Sequence, residues 1–193
     1  MSETRGKIII LVAPSGGGKS TMAQRLLKEF DKLRFSTSAT TRDPRPGEVD
    51  GRDYYFLSDK EFTKKIENKD FLEWEEFFNG TRYGTLRSDV ENQLDKGYFV
   101  LLDIEVLGAT SVKSLYGEDA LAIFLKPPSF EILRERLRNR GTESGERLKQ
   151  RIERAKEELR YADRFDRVVV NDDLETAYSK LKKLVQSFMN THS

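Results

Sequence analysis

Cysteine is absent, and histidine occurs once, at His192, one residue from the end. The first absence excludes disulfide staples, thiol nucleophiles and cysteine metal sites. The second leaves no imidazole for general-base chemistry or a zinc site, because a tail histidine is ordinarily solvated. Long apolar runs are missing too. The longest, Ile8 to Ala13, is far too short to span a bilayer. Met1 to Lys7 is polar and carries no apolar signal segment. No charge sign dominates either. A formal net charge of +1 offers no bulk attraction to DNA, RNA or an acidic membrane. Neither nucleic acid nor membrane is expected as a partner, and the cytoplasm is the default location. Any chemistry must rest on Lys, Arg, Asp, Glu, Ser, Thr and Tyr.

What is present is a chain of 193 residues, 37% hydrophobic and 35% charged, enough for one α/β domain with a sizeable core. Lys7 to Val12 is a β-branched run that predicts a strand buried on both faces. A helix follows, with Met22, Leu26, Leu27 and Phe30 on one face. Phe35 to Thr37 suggests a short strand. Thr40 to Asp53 holds Pro44, Pro46, Gly47 and Gly51, and reads as a loop. Asp53 to Leu57 is strand-like. Ser58 with Glu61 forms a capping-box signal for a helix reaching about Asn68, and Ser88 with Glu91 suggests a second. Phe71 to Phe78, Tyr98 to Ile104, Ala120 to Leu125 and Val168 to Val170 read as further strands. Pro127, Pro128 and Ser129 introduce a helix with Ile132, Leu133 and Leu137 inward. A charged helix spans about Glu146 to Ala162. A terminal one carries Leu174, Ala177, Leu181, Leu184, Val185 and Phe188. Strands alternating with helices imply a mostly parallel sheet covered on both faces.

One motif carries chemistry. Ala13-Pro14-Ser15-Gly16-Gly17-Gly18-Lys19-Ser20 nearly fits G-x-x-x-x-G-K-[ST], between a buried strand and an amphipathic helix. Glycines let the backbone curl so that several N–H groups converge on phosphate oxygens, and the helix N-terminus adds positive potential. Lys19 is expected on the β- and γ-phosphates and the Ser20 hydroxyl on Mg²⁺. Ala13 replaces the first glycine, which a negative φ at the strand exit tolerates. The motif names a triphosphate-binding protein without separating kinase from GTPase or ATPase. Elsewhere, Arg42 and Arg45 lie three apart in a Pro-restrained loop, where two guanidiniums can fork onto one phosphate. Two solvated arginines are an equal alternative.

Ser38 to Glu48 (SATTRDPRPGE), Gly51-Arg52-Asp53-Tyr54, Phe71-Leu72-Glu73-Trp74, Tyr83-Gly84-Thr85, Asp103-Ile104-Glu105, Arg140 to Ser144 and Val170 to Leu174 complete an ordered pattern. Over nearly the whole chain it resembles the guanylate kinase family. The resemblance implies transfer of the γ-phosphate of ATP to GMP with Mg²⁺, giving ADP and GDP. It implies a P-loop core at about 1–41, 98–135 and 160–193. A small inserted GMP-binding α+β lobe falls at about 42–97 and an Arg-rich helical lid at about 136–159. The ATP site is Ala13 to Ser20 with Thr21, Arg140, Asn171 and Asp172. Arg42, Arg45, Tyr54 and Tyr83 take the GMP phosphate. Glu73 accepts from guanine N1–H and N2–H, Ser38 and Thr85 donate to O6, and Glu105 accepts from N2. Asp103 organises Mg²⁺ through water beside Ser20 and also belongs to the GMP site, though a strand-end Asp is otherwise often a helix cap. Lys19, Arg42, Arg140 and Arg151 offset charge on the transferring group. Glu75 and Glu76 lie close to Glu73 and read as a solvated strand face. Most arginines among Arg134, Arg136, Arg138, Arg140, Arg147 and Arg151 read as solvated, with Glu interleaved. Leu107 departs from the family, where many relatives carry a polar residue. A monomer or small homo-oligomer is expected, and dGMP is left open as a second acceptor. A scaffolding domain of the same fold is the main alternative, disfavoured by the intact Gly18-Lys19-Ser20.

Overall fold

The structure, a computed structural model, describes residues 4–77, 80–139 and 145–191, with the backbone alone at 147. His192 and the segment Arg140 to Ser144 lie outside the described residues.

β1 (Ile8–Val12) is buried along its whole length. It sits at the centre of a five-stranded sheet, flanked in parallel by β7 (Phe99–Asp103) and β8 (Ala120–Lys126). β2 (Leu33–Phe35) and β9 (Arg167–Val170) close the two edges, also in parallel. The two-residue period of a strand divides its side chains between two cores. Ile8, Ile10 and Val12 face the side covered by α3 (Arg87–Asp95) and α4 (Val106–Tyr116), through Val90, Leu94, Ala109 and Val112. Ile9 and Leu11 face α1 (Lys19–Glu29) and α7 (Leu174–Thr191), through Met22, Leu26, Leu181 and Val185. An α/β fold with a parallel sheet covered on both faces is thus observed. No helix among the described residues is long and apolar enough to cross a membrane.

A second sheet stands apart, in the order β4 (Tyr55–Phe56), β3 (Ser38–Thr40), β6 (Arg82–Leu86), β5 (Phe71–Glu76). α2 (Asp59–Glu67) packs on it through Phe62, which stacks on Phe71 at 4.4 Å. The expected capping box forms: the Ser58 hydroxyl accepts from the Glu61 backbone, and the Glu61 carboxylate accepts from the Ser58 backbone. β5 carries a bulge between Phe71 and Glu73. A bulge shifts the alternation of side chains by one. Phe71 therefore joins Phe62, Leu72 joins the main core, and Glu73 and Glu75 open onto the cleft between the sheets.

Several expectations change. The chain leaves one sheet and enters the other through Ser36 and Thr37, so Phe35 to Thr37 is the end of β2 and the link to β3 rather than one strand. Ser88 caps nothing. β6 runs directly into α3, whose N-cap is Leu86, and Glu91 instead takes the Arg5 guanidinium and the Tyr116 hydroxyl. α5 (Phe130–Asn139) packs Leu133 and Leu137 with Ala155, but Ile132 lies off that stripe and is exposed. The charged helix α6 (Glu146–Leu159) stops short of Ala162, where a separate short turn begins. β6 and α4 are additional elements.

Candidate active site

The strand β1 delivers the chain into the loop at Ala13, and α1 carries it away. Gly16 and Gly18 have φ of 85° and 90°, a region that favours glycine. Ala13 does not: among the described residues Lys69 alone is a non-glycine with positive φ. The loop closes with Gly17 N–H donating to the Pro14 carbonyl at 2.8 Å. A Cβ on Gly17 would stand 2.8 Å from the Ala13 methyl and 2.9 Å from the Pro14 oxygen. The alanine is therefore accommodated by the glycine four residues later. α1 starts on Gly18, which supplies no capping side chain. Its first-turn N–H groups stay available to an anion. Ser20 and Thr21 are exposed on that turn.

Asn171 lies beneath the loop. Its amide donates to the Gly17 carbonyl at 2.9 Å, and its own carbonyl accepts from Arg136 at 3.1 Å. Asp172 is exposed and helps line a side cavity of about 490 Å³ with Gly16, Gly18 and Asn139.

Lys19 reaches across to the end of β7. Its ammonium lies 2.7 Å from Asp103 Oδ1, 3.2 Å from the Ile104 carbonyl and 4.0 Å from Glu105 Oε1. Burial pulls its pKa down, but Glu105 and Asp103 together lift it above the usual lysine range. Asp103 is thus an ion-pair partner here rather than a helix cap. Among the described residues no group of three or more metal-ligand side chains gathers.

At the far end of the same cleft, of about 1140 Å³, stand the second sheet's polar groups. Ser38 pairs with Thr85 across β3 and β6, and Glu73 pairs with Thr85 across β5 and β6. The Thr85 hydroxyl donates to Glu73 Oε1 at 2.6 Å. Burial raises the Glu73 pKa, helped by Glu75 and Glu105 and opposed by the Thr85 hydrogen bond. Tyr54 and Tyr83 meet edge to face at 6.0 Å, with the Arg42 guanidinium 4.9 Å above the Tyr54 ring. Arg42 forms a two-pronged ion pair with Glu48, both contacts 2.7 Å, which holds the Glu48 carboxyl down at about 2. Glu48 also accepts from the Arg45 backbone at 2.7 Å, while Arg45 is exposed. Arg42 and Arg45 therefore share Glu48 but do not stand as a matched pair.

The charged helix α6 is nearer the site than its charge pattern suggests. Arg151 donates to the Ser15 hydroxyl at 2.7 Å. Arg154, absent from the sequence-level candidates, touches Glu75 at 2.8 Å, Glu158 at 2.9 Å and Glu105 at 3.6 Å, over the ring of Phe77 at 4.8 Å. Glu75 is thus a cleft residue and not a solvated strand face. Glu158, 7% exposed, is pushed up to about 7, first by burial and then by Glu105. The Arg154 and Glu158 spacing of four on a helix is a sequence signal, but it cannot show the partners on β5 and beyond β7. Arg134 and Arg138 are exposed, as a solvated face requires. Arg140 lies outside the described residues. Leu107 is 63% exposed.

The family model described as guanylate kinase matches residues 5–188. A guanylate kinase of Porphyromonas gingivalis is 50% identical over 184 residues, covering 95% of this chain and 98% of that protein. One of Bacteroides thetaiotaomicron is 47% identical over 190 residues, covering 98% and 93%. The crystal structure of guanylate kinase from Anaplasma phagocytophilum has a TM-score of 0.75 at 33% identity, covering 97% of this chain and 88% of that one. The SH3-kinase fragment of tight junction protein 3, at 10% identity and a TM-score of 0.52, shares the fold alone.

Proposed function

The chain belongs to the guanylate kinase family, and from that premise we propose how its own residues move the γ-phosphate of ATP to GMP. ATP and GMP are its substrates, and ADP and GDP its products. The observation that carries the residue assignment is the single cleft. Asp103 and Glu105, the partners of Lys19, line it together with Glu73, the partner of Thr85.

In this reading the triphosphate lies along Ala13 to Thr21. The N–H groups of Gly16 and Gly18 turn toward its oxygens, while that of Gly17 stays on the Pro14 carbonyl. Lys19 exchanges Asp103 for the β- and γ-phosphates. Asn171 and Asp172 border the adenine, and Asn171 also braces the loop floor. Arg42 leaves Glu48 or shares it, and with Arg45, Tyr54 and Tyr83 holds the GMP phosphate in line. Glu73 accepts from guanine N1–H and N2–H, and Glu105 from N2. A hydroxyl has one proton. While Thr85 spends it on Glu73, donation to O6 falls to Ser38. Adenine presents the opposite polarity and leaves these buried groups unpaired. Arg151, and Arg140 by family resemblance, stabilise charge on the transferring group, and lid closure excludes water. The moving parts are the GMP lobe, about 42–97, and the lid, about 136–159. A cytoplasmic location goes with this reading.

Ser20 and Asp103 fit Mg²⁺. Both offer hard oxygen donors, and Mg²⁺ is ordinarily held by one or two carboxylates plus substrate phosphates rather than by a protein cage. The ion supplies charge neutralisation on the phosphates when bound.

A panel of nucleoside monophosphates with ATP and Mg²⁺ tests the site. GMP is the expected acceptor, with AMP lower in kcat/KM by about 10⁴-fold, the discrimination available when polar groups are left unpaired. AMP within tenfold of GMP would sink the guanine-reading set.

A further inference from the structure

We propose that Gly108 is a specificity-positioning residue: its missing side chain is the space in which the Glu73 carboxylate stands to meet guanine. The inference rests on Glu73 as the guanine reader and names what holds that reader in place.

Gly108 is the third residue of α4. Glycine inside a helix is unfavourable relative to alanine, so its presence there has a cause. Backbone conformation is not that cause, because Gly108 is not among the glycines with positive φ. Space is. A Cβ built on Gly108 would lie 2.6 Å from Glu73 Oε2, 3.0 Å from its Cγ and 3.1 Å from its Cδ. All three of the nearest atoms belong to this one side chain. Glu73 is held through its other oxygen by the Thr85 hydroxyl at 2.6 Å, and the β5 bulge sets its exit from the sheet. The carboxylate is therefore wedged between a hydroxyl and a bare helix turn.

An added methyl cannot be met by moving backbone at low cost, but it can be met by swinging the Glu73 head away. That movement gives up the Thr85 contact and displaces the carboxylate by about 1 Å, a misplacement that costs on the order of 10²-fold where geometry sets the rate or the binding. The fold is spared, because what yields is the end of a side chain.

The test uses Gly108→Ala, Glu73→Asp, Glu73→Gln and the double variant Gly108→Ala/Glu73→Asp in the full chain. KM is measured for each substrate with the other saturating, alongside melting temperature. Gly108→Ala is expected to raise KM for GMP by about 10- to 100-fold, with KM for ATP within about twofold and melting no lower than wild type, since alanine is the better helix former. Glu73→Asp raises KM for GMP by itself. Its shorter side chain removes the 2.6 Å contact with Oε2 and leaves Cγ, at 3.0 Å, to give by only a few tenths of an ångström, so adding Gly108→Ala to it raises KM by less than about threefold. If Gly108→Ala melts below the assay temperature, the same cycle is read in melting temperature, where Glu73→Asp is expected to restore it. An equal factor in both backgrounds, or equal rises for GMP and ATP, overturns the role of Gly108 while leaving Glu73 as reader. Unchanged KM for GMP in both Glu73→Asp and Glu73→Gln overturns the reader, and the proposal with it.

Discussion

Replacing Glu158 by glutamine isolates one buried acid at the meeting point of α6 and the loop from Ala13 to Ser20. The Glu158 carboxylate faces Arg154 on its own helix, Glu105 from the end of β7, the Lys19 ammonium and the Ser15 N–H at 3.4 Å. Its pKa rises from 4.5 to about 7 because burial and Glu105 disfavour the charge more than Arg154 favours it. Between these two values the folded chain binds more protons than the unfolded one. Stability attributable to this group is therefore full at low pH and falls as pH rises through the window. At about 1.4 kcal/mol per pH unit the ceiling is about 3 kcal/mol. Glu158 lines the cleft, and solvent screening there reduces this to about 1.5 kcal/mol. Glutamine is close in shape to the protonated acid and has no such window. The assay is thermal unfolding of wild type and Glu158→Gln from about pH 5 to about pH 8. The variant's melting temperature, relative to wild type, is expected to gain about 3–6 °C over that range, at about 2–4 °C per kcal/mol for a chain of this size. A difference that stays flat with pH would show that Glu158 is ionised throughout, and would refute the reasoning.

Lys19→Ala is expected to abolish phosphoryl transfer while far-ultraviolet circular dichroism and melting stay near wild type, because the side chain is held by Asp103 at the cleft and not by the core; near-normal turnover would remove Lys19 from the mechanism. Glu73 must be ionised to accept two N–H donors, and burial raises its pKa. KM for GMP should therefore climb on the acid side, starting at a higher pH than an exposed glutamate would give, with KM for ATP flat. A KM profile identical for both substrates would count against it. Lys69 ends α2 at φ 60°, its N–H donating to Ile66. Lys69→Gly relieves a left-handed non-glycine and should stabilise the chain by about 0.5–1 kcal/mol in denaturant unfolding, without touching activity; destabilisation would refute the strain argument.

Much of the fold is legible in local sequence, and the reasons are specific. Ile8 to Val12 has no polar residue, so it can only be a strand covered twice. Ser58 and Glu61 encode a helix start that depends on nothing distant. Ser88 and Glu91 carry the same letters yet cap nothing, because β6 enters α3 without a break and the first turn begins at Arg87. α4 escapes the pattern because Gly108 and the small residues after it blur its period, and Leu107 on it is exposed. In the site, the loop from Ala13 to Ser20 is read from sequence because its ligand geometry is made by consecutive backbone. Arg154 is not. Its partners Glu75 and Glu105 lie 79 and 49 positions away, and only the stacking of α6 over the second sheet brings them within reach. Gly108 is similar: its importance lies in what occupies the volume beside it, which a sequence does not display.

Gly18 gives α1 no capping oxygen. α2 closes its first turn with the Ser58 hydroxyl. α1 leaves its first N–H groups open to an anion, and in the proposed reading the triphosphate becomes a structural component borrowed from solution. Binding and the last step of helix formation then draw on the same donors. The chain's resistance to heat and to proteases should track the free nucleotide concentration, as RT ln(1 + [L]/Kd) requires. In a cell depleted of ATP such an enzyme would lose more than a substrate, because its central helix would be left open at one end.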